Sequence, residues 1–165
     1  TLFPYTTLFR SDVGQPADAP FTVLADPEGN PFCVLDPRDE YQGTGPVAAI
    51  VLATGDAGAL RDFYALATGW DVIRDEPGYV AFRRPDGRGP FLELITRDGL
   101  DPGDDRKNRI HLDVSPREDE DQAAYVDRLL GLGATRVDVG QGPDVTWVVL
   151  ADPEGNELCV LRPRP

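Results

Sequence analysis

Residues 24–35 read LADPEGNPFCVL and residues 150–161 read LADPEGNELCVL, so one stretch occurs twice in this chain. Ten of the twelve positions are identical, and the two copies lie 126 residues apart. A match of this length indicates an internal duplication. In each copy Asp-Pro-Glu-Gly-Asn separates two β-rich runs, and these residues are typical of a turn because proline fixes φ and glycine accepts positive φ. Each copy therefore predicts a β-hairpin.

The order of the predicted strands and helices also repeats along the chain. Its first half has strands at Val47–Thr54, Trp70–Arg74, Gly78–Arg83 and Phe91–Thr96, with a helix from Ala57 to Thr68 that Asp56 caps and Gly69 ends. Its second half has strands at Arg109–Val114, Ala134–Val139, Thr146–Ala151 and Glu157–Leu161, with a helix from about Ser115 to Leu132 that ends at Gly133. The pattern predicts an α+β fold of two βαβββ modules. Because neither module alone buries both faces of a sheet, we expect the pair to form one domain.

These motifs resemble the vicinal oxygen chelate superfamily, the glyoxalase, bleomycin-resistance and dioxygenase group. The residues that carry the resemblance are Asp56 followed by Phe63-Tyr64, the strand Arg109–Val114, and the run from Ala151 to Asn156. The sequence is most similar to the glyoxalase-like branch. The resemblance implies that the two modules face each other and that their sheets form a cupped cavity.

The duplication, the composition and this resemblance together predict the boundaries. Residues 1–11, TLFPYTTLFRS, resemble a translated sequencing adapter, and the chain has no methionine, so we expect a fragment truncated at its amino end. Residues 12–36 are then the C-terminal β-hairpin of an upstream glyoxalase-like domain, an orphan with an exposed edge. The polar residues 37–46 are a linker, and residues 47–163 are a complete glyoxalase-like domain.

Metal-dependent members of this superfamily carry ligands on the first and last strands of each module. The corresponding positions here are Ala49, Glu93, His111 and Cys159. We expect the ligand cavity to be lined by Ala49, Phe91, Glu93, His111, Trp147 and Cys159. Glu93 and His111 are the candidate catalytic residues.

The departures from this ligand set matter. Ala49 has no donor atom, and Cys159 stands where a carboxylate is usual, which favours zinc over manganese or magnesium. His111 is the single histidine, so sites that need two are excluded. If a metal is bound, His111, Glu93 and Cys159 are its candidate ligands, since three protein ligands and a water suffice for catalytic zinc. Each also has a purely structural interpretation: a packing cysteine, a hydrogen-bonded histidine and a paired carboxylate.

Composition excludes several function classes. The 165 residues carry 29 acidic against 16 basic side chains, a net charge of −13, which disfavours nucleic acids and anionic membrane surfaces. No apolar run reaches about 18 residues, and two cysteines are too few for a disulfide scaffold. We therefore expect a cytoplasmic protein with no nucleic-acid or membrane partner.

Three functions follow from this reasoning. The first is binding of a small organic ligand, cationic or amphipathic, in the cupped cavity, with no cofactor and no complete metal site. The second is a lyase or isomerase of the glyoxalase type that depends on a divalent metal, zinc or nickel. The third is a structural half of a tandem-domain protein. The expected partners are a small molecule and either the missing upstream domain or a second copy in a homodimer.

Overall fold

The computed structural model describes residues 16–97 and 110–163. The chain divides into two compact units, of which one ends at Gln42 and the other begins at Gly43. The adapter-like residues 1–11 and the predicted strand residue Arg109 lie outside the described residues. Within the described ranges, no helix has the length and apolar character needed to cross a bilayer. The predicted cytoplasmic location stays a prediction.

The first unit contains the predicted hairpin. Strand β1 (Phe21–Ala25) pairs antiparallel with β2 (Pro31–Leu35), and a short 3-10 helix follows at Asp39–Tyr41. In the connecting turn Asp26 accepts hydrogen bonds from the backbone N–H groups of Glu28 and Asn30 at 2.9 and 2.8 Å. Gly29 has φ +85°, a conformation that glycine adopts without the strain a side chain brings.

The second unit contains both βαβββ modules. Module one consists of β3 (Ala49–Thr54), α1 (Arg61–Thr68), β4 (Asp71–Glu76), β5 (Tyr79–Arg83) and β6 (Phe91–Thr96). Module two consists of β7 (Leu112–Val114), α2 (Gln122–Gly131), β8 (Thr135–Arg136), β9 (Val148–Ala151) and β10 (Glu157–Val160). The predicted α+β class and the repeated order of elements are confirmed.

Each module forms its own four-stranded sheet, and the two sheets have the same strand order. The orders are β3-β6-β5-β4 and β7-β10-β9-β8, so the first strand of each module lies beside the last. These two neighbours are parallel, and the other strand pairs are antiparallel. The sheets are not hydrogen-bonded to each other through the described strands.

Both helices cover one face of the sheets and share one hydrophobic core. Leu52, Leu92 and Leu94 of module one pack in the same buried cluster as Val126 and Leu129 of α2. In module one the alternate residues on β6, Phe91 and Glu93, therefore lie on the face turned away from the helices. The separation of the two faces agrees with the alternation in the sequence.

The duplicated turn between β9 and β10 joins the two modules. Both oxygens of the Glu154 carboxylate accept hydrogen bonds, from the backbone N–H groups of Gly55 and Asp56, at 2.8 Å each. The Tyr64 hydroxyl donates to Oδ2 of Asp152 at 2.8 Å, and the Tyr125 hydroxyl donates to the carbonyl of Ala67 at 2.8 Å. These contacts tie the helices and turns of both modules into one domain.

The predicted starts of both helices are wrong. Asp56 accepts from the N–H of Ala59, so it caps a separate turn that precedes α1, whose first residue is Arg61. Helix α2 begins only after Asp121, whose side chain accepts from the N–H of Ala124. Ser115 does not cap it, because its hydroxyl donates to the carbonyl of Arg162.

Two predicted strands are much shorter in the structure. The end of helix α1 agrees with the prediction. The strand expected to begin at Arg109 is ordered as β-structure only over Leu112–Val114, and the one expected at Ala134–Val139 only over Thr135–Arg136. Gly69 ends α1 with φ +66° and donates its N–H to the Ala65 carbonyl.

Candidate functional site

Strand register places the predicted site residues of module two side by side. Cys159 of β10 lies opposite Asp113 of β7 and opposite Val149 of β9. His111 directly precedes β7, and the short distance between its ring and the Asp113 carboxylate places both side chains on the same side of the sheet. Leu158 and Val160 lie on the other face, in the core beneath α2. The first and last strands of module two thus bring a histidine, a carboxylate and a thiol together on the face turned away from the helices.

Distances confirm that these three side chains form a group. Nε2 of His111 lies 3.2 Å from Sγ of Cys159 and 3.4 Å from Oδ1 of Asp113. One ligand atom from each residue lies within 4.8 Å of the other two. Asp113 was not predicted as a site residue. Its position two residues after His111 on a predicted strand was the signal that could have identified it.

Cys159 is buried, whereas His111 and Asp113 are exposed. Burial raises the pKa of the Cys159 thiol above its usual value, and the negative charges of Asp113 and Glu157 raise it further. Proton loss from this thiol is therefore disfavoured unless a cation is nearby. The same two carboxylates give the face around Cys159 a negative potential.

Module one holds the other two predicted metal positions. Ala49 lies opposite Phe91, and Glu93 lies between Val51 of β3 and Ala81 of β5. Glu93 is 6% exposed, so it lies deep in the sheet. Its carboxylate is not part of the group formed by His111, Asp113 and Cys159. Among the residues that the structure describes, the donor atoms that come together therefore belong to module two.

Arg83 is a buried cation on the same face of module one. Its guanidinium lies 4.2 Å from the centre of the Phe91 ring and donates to the carbonyls of Gly87 and Gly89 at 2.5 and 2.6 Å. The side chain is 8% exposed. The sequence reasoning missed it, although its position at the end of β5, before a Pro-Asp-Gly turn, was visible. Phe91, a predicted cavity residue, thus packs against the guanidinium of Arg83, which the sequence analysis did not include among the site residues.

Trp147 precedes β9 and is 39% exposed. It lies two residues before Val149, which is opposite Cys159. Trp70, the other tryptophan, packs against the core instead. Trp147 is thus an exposed aromatic residue close in sequence to the strand that pairs with β10, and its place in a ligand cavity stays a prediction.

Two surface pockets lie outside this sheet face. The larger, of about 630 Å³, is lined by residues of α1, α2 and the segment before α2, among them Leu66, Arg117 and Tyr125. The smaller, of about 440 Å³, is lined by residues 118–122, Arg162 and Pro163. None of the predicted site residues lines either pocket, so both are separate from the site that the sequence predicts.

The donor set can be compared with the needs of a metal ion. Zinc holds histidine nitrogen, cysteine sulfur and carboxylate oxygen at about 2.0–2.3 Å in a tetrahedron, so its ligand atoms lie roughly 3.3–3.8 Å apart. The 3.4 Å between His111 and Asp113 falls within this range, and the 3.2 Å between His111 and Cys159 is just below it. The ligand atoms of Asp113 and Cys159 lie within 4.8 Å of each other. His111, Asp113 and Cys159 could thus hold zinc with one position open, where the ion would act as a Lewis acid. A four-ligand site shared by both modules is not formed, because Ala49 has no donor.

Comparisons with known proteins agree with this fold. The model of the glyoxalase-like domain family matches residues 49–161, and no curated protein matches the chain. A glyoxalase-related enzyme from Fulvimarina pelagi is 20% identical with a TM-score of 0.53, over 72% of this chain and 88% of that one. A glyoxalase/bleomycin resistance protein/dioxygenase family enzyme from Burkholderia phytofirmans PsJN is 18% identical with a TM-score of 0.53, over 70% and 96%.

A longer plant enzyme has a similar fold over more of this chain. A mutant of glyoxalase I from Zea mays is 21% identical with a TM-score of 0.61, and the match covers 86% of this chain and 54% of that one. At these identities the likeness concerns the fold alone, and the chain spans about half the length of the maize enzyme. From the family match, with the repeated modules and their strand order, the chain belongs to the glyoxalase-like domain family, within the vicinal oxygen chelate superfamily.

Proposed function

We propose that this domain binds a small cationic or amphipathic organic ligand on the sheet face of module two, without a metal site shared by both modules. The observation that carries the proposal is the grouping of donor atoms in one module only. His111, Asp113 and Cys159 come together, and the matching positions of module one contribute no atom to the group. A ligand on this face would therefore contact the side chains of His111, Asp113 and Cys159 directly rather than through a metal ion shared by both modules.

Electrostatics supports a cation as the ligand. Burial raises the pKa of the Cys159 thiol, and the negative charges of Asp113 and Glu157 raise it further. A positive group placed near this thiol would be attracted by the same charges. The net charge of −13 favours the approach of a cation over longer distances.

An exposed aromatic residue next to this strand supports an amphipathic ligand. Trp147 is 39% exposed and lies two residues before Val149, which is opposite Cys159. A tryptophan face attracts cations and apolar rings alike. A flat aromatic cation could thus stack on Trp147 while its charge lies toward Asp113.

The test compares ligands that share an aromatic ring and differ in charge. Benzyltrimethylammonium and benzenesulfonate are titrated against the full chain, and binding is followed by tryptophan fluorescence and calorimetry. We expect the cation to bind more tightly and Asp113→Asn to weaken it about fivefold, the effect of roughly 1 kcal/mol. Asp127→Asn on the exposed side of α2 is the matched charge control and should leave binding unchanged.

The two tryptophans make the location of binding testable. In Trp70→Phe the fluorescence change should persist, whereas in Trp147→Phe it should be lost and affinity should fall. Equal affinity for the anion, an unchanged response in Trp147→Phe, or no binding of either compound at millimolar concentration would overturn the proposal.

A metal-dependent enzyme is the second candidate, and the zinc-compatible spacing of His111, Asp113 and Cys159 favours it. The chain is loaded with zinc or nickel, dialysed, and its metal content is measured. One tightly held ion that is lost in His111→Ala and retained in Asp127→Asn would establish the metal site on which this candidate depends. It would replace the metal-free proposal.

A further inference from the structure

The two hairpins of this chain have the same turn down to individual hydrogen bonds. In the first, Nδ2 of Asn30 donates to Oδ2 of Asp26 at 2.8 Å, and in the second, Nδ2 of Asn156 donates to Oδ2 of Asp152 at 2.9 Å. The backbone N–H of the aspartate donates to the asparagine carbonyl at 2.9 Å in both. The second hairpin therefore shows what surroundings a hairpin of this sequence takes in a complete domain.

The edge of the last strand is the first difference between the copies. Strand β10 has β9 on one side and the parallel strand β7 on the other, with Leu158 opposite Leu112 and Val160 opposite Val114. Strand β2 is paired with β1, and no other described strand is bonded to it. Such an edge offers backbone groups to an added strand.

Pro31 is compatible with such an addition. It corresponds to Glu157, which lies one residue before the parallel ladder of β10 begins at Leu158. A proline at the first residue of a strand removes no hydrogen bond from a ladder that starts later. The two sequence differences within the last strand, Pro31 for Glu157 and Phe32 for Leu158, thus keep the parallel edge usable.

One face of the hairpin is the second difference. Leu158 and Val160 are 2% and 0% exposed because they pack in the core with α2. Their counterparts Phe32 and Val34 are 48% and 53% exposed. On the opposite face of the hairpin Val23 is buried and its cross-strand neighbour Cys33 is exposed. The two large apolar side chains that β2 exposes, Phe32 and Val34, both lie on the face that α2 covers in the second copy.

The turn is the third difference. The carboxylate of Glu154 binds the N–H groups of Gly55 and Asp56, where β3 leads into the turn before α1. Glu28 holds the same place in the first turn and is exposed. The first hairpin thus presents an open edge, an apolar face and a carboxylate, each of which has a known partner in the second copy.

We propose that the β1–β2 hairpin is a docking surface for a strand-and-helix unit of another glyoxalase-like domain. The strand would add parallel to β2 in the register of β7 on β10, and the helix would cover Phe32 and Val34. Glu28 would accept from two backbone N–H groups at the turn of the adjoining module. The occupant is a glyoxalase-like segment rather than a second β2. The outer edge of β2, the face with Phe32 and Val34, and the carboxylate of Glu28 all correspond to positions that β7, α2 and the turn before α1 contact in the second copy.

A chain built from this sequence tests the proposal. Residues 43–146 are placed directly before Phe21, so that the hairpin follows a duplicated segment at the spacing of β9 and β10. Hydrogen exchange of residues 31–35 is compared with the original chain. We expect exchange in the fusion to be at least about tenfold slower. In a matched fusion with Phe32→Asp and Val34→Asp this protection should be lost, while β10 of the original domain stays protected in all chains.

Sedimentation of the original chain tests the competing occupant. We expect a monomer with rapid exchange on the outer edge of β2. A dimer in which β2 is protected would show that a second copy covers the hairpin, and it would overturn the proposal. Equally fast exchange of β2 in the fusion and in the original chain would overturn it as well, whether or not the duplicated segment folds.

Discussion

The hydroxyl of Tyr64 on α1 donates a 2.8 Å hydrogen bond to the carboxylate of Asp152, in the turn between β9 and β10. Both residues are buried. The same carboxylate accepts from Asn156 and from the backbone of Glu154, so its charge is compensated by several donors. This bond therefore links the helix of module one to the turn of module two.

We predict that Tyr64→Phe destabilises the domain by about 1–2 kcal/mol, since it removes one donor to a buried carboxylate and leaves the other donors in place. Urea unfolding followed by far-UV circular dichroism measures the change. Asp127→Asn, on the exposed side of α2, should alter the free energy of unfolding by less than about 0.5 kcal/mol. Equal effects of both substitutions would contradict the role assigned to Tyr64.

Stability should decline at alkaline pH because two tyrosines are held neutral. Burial, with the nearby carboxylates Asp152 and Glu154, raises the pKa of Tyr64 far above 10. Burial, with the charge of Glu120, raises the pKa of Tyr125 to about 12. A pKa raised in the folded state favours folding below the unfolded value of 10, and this contribution is lost as pH rises above it.

The contribution of these groups to the free energy of unfolding should therefore not change with pH between 7 and 9, and it should fall above about pH 10. For Tyr125 the loss is complete near pH 12. Urea titrations between pH 8 and pH 11.5 measure the slope. Tyr64→Phe and Tyr125→Phe should each flatten it, and an unchanged slope in both variants would disprove the assignment.

The carboxylate of Glu154 provides a comparison between the two copies of the turn. Glu154→Ala leaves the N–H groups of Gly55 and Asp56 without this acceptor, so we expect a loss of about 1–3 kcal/mol. Glu28→Ala makes the same change in an exposed turn and should cost less than about 0.5 kcal/mol. Thermal and urea unfolding measure the loss of stability in the two variants. Similar losses in both would contradict this account.

The sequence predicted the features that depend on neighbouring residues. The duplicated turn, the module order and the alternation of Leu92 and Leu94 with Phe91 and Glu93 come from local patterns, and the structure contains all of them. The predicted starts of both helices were wrong because the capping residues were chosen from local sequence patterns alone. The hydroxyl of Ser115 bonds to Arg162, 47 residues away, which a local pattern does not contain.

The candidate site shows the same division. The sequence placed His111 and Cys159 on first and last strands of one module, and the structure has them in contact. Asp113 joined them because the register of β7 on β10 sets it opposite Cys159, and register depends on the whole sheet. The roles of Ala49, Phe91, Glu93 and Trp147 as ligand contacts stay predictions.

The reactivity of Cys159 should depend on the charge of Asp113. Burial is the main cause of the raised pKa of this thiol, and Asp113 and Glu157 add to it. Because the thiolate is the reactive form, Cys159 should be alkylated by iodoacetamide more slowly than an ordinary thiol at pH 8. Asp113→Asn removes one negative charge, so the reaction should become about twofold faster or more.

Mass spectrometry of the peptide containing Cys159 gives the rate, with the peptide containing Cys33 as internal reference. Asp127→Asn should leave the rate unchanged, and a rate that is equal or slower in Asp113→Asn would show that this carboxylate does not act on the thiol.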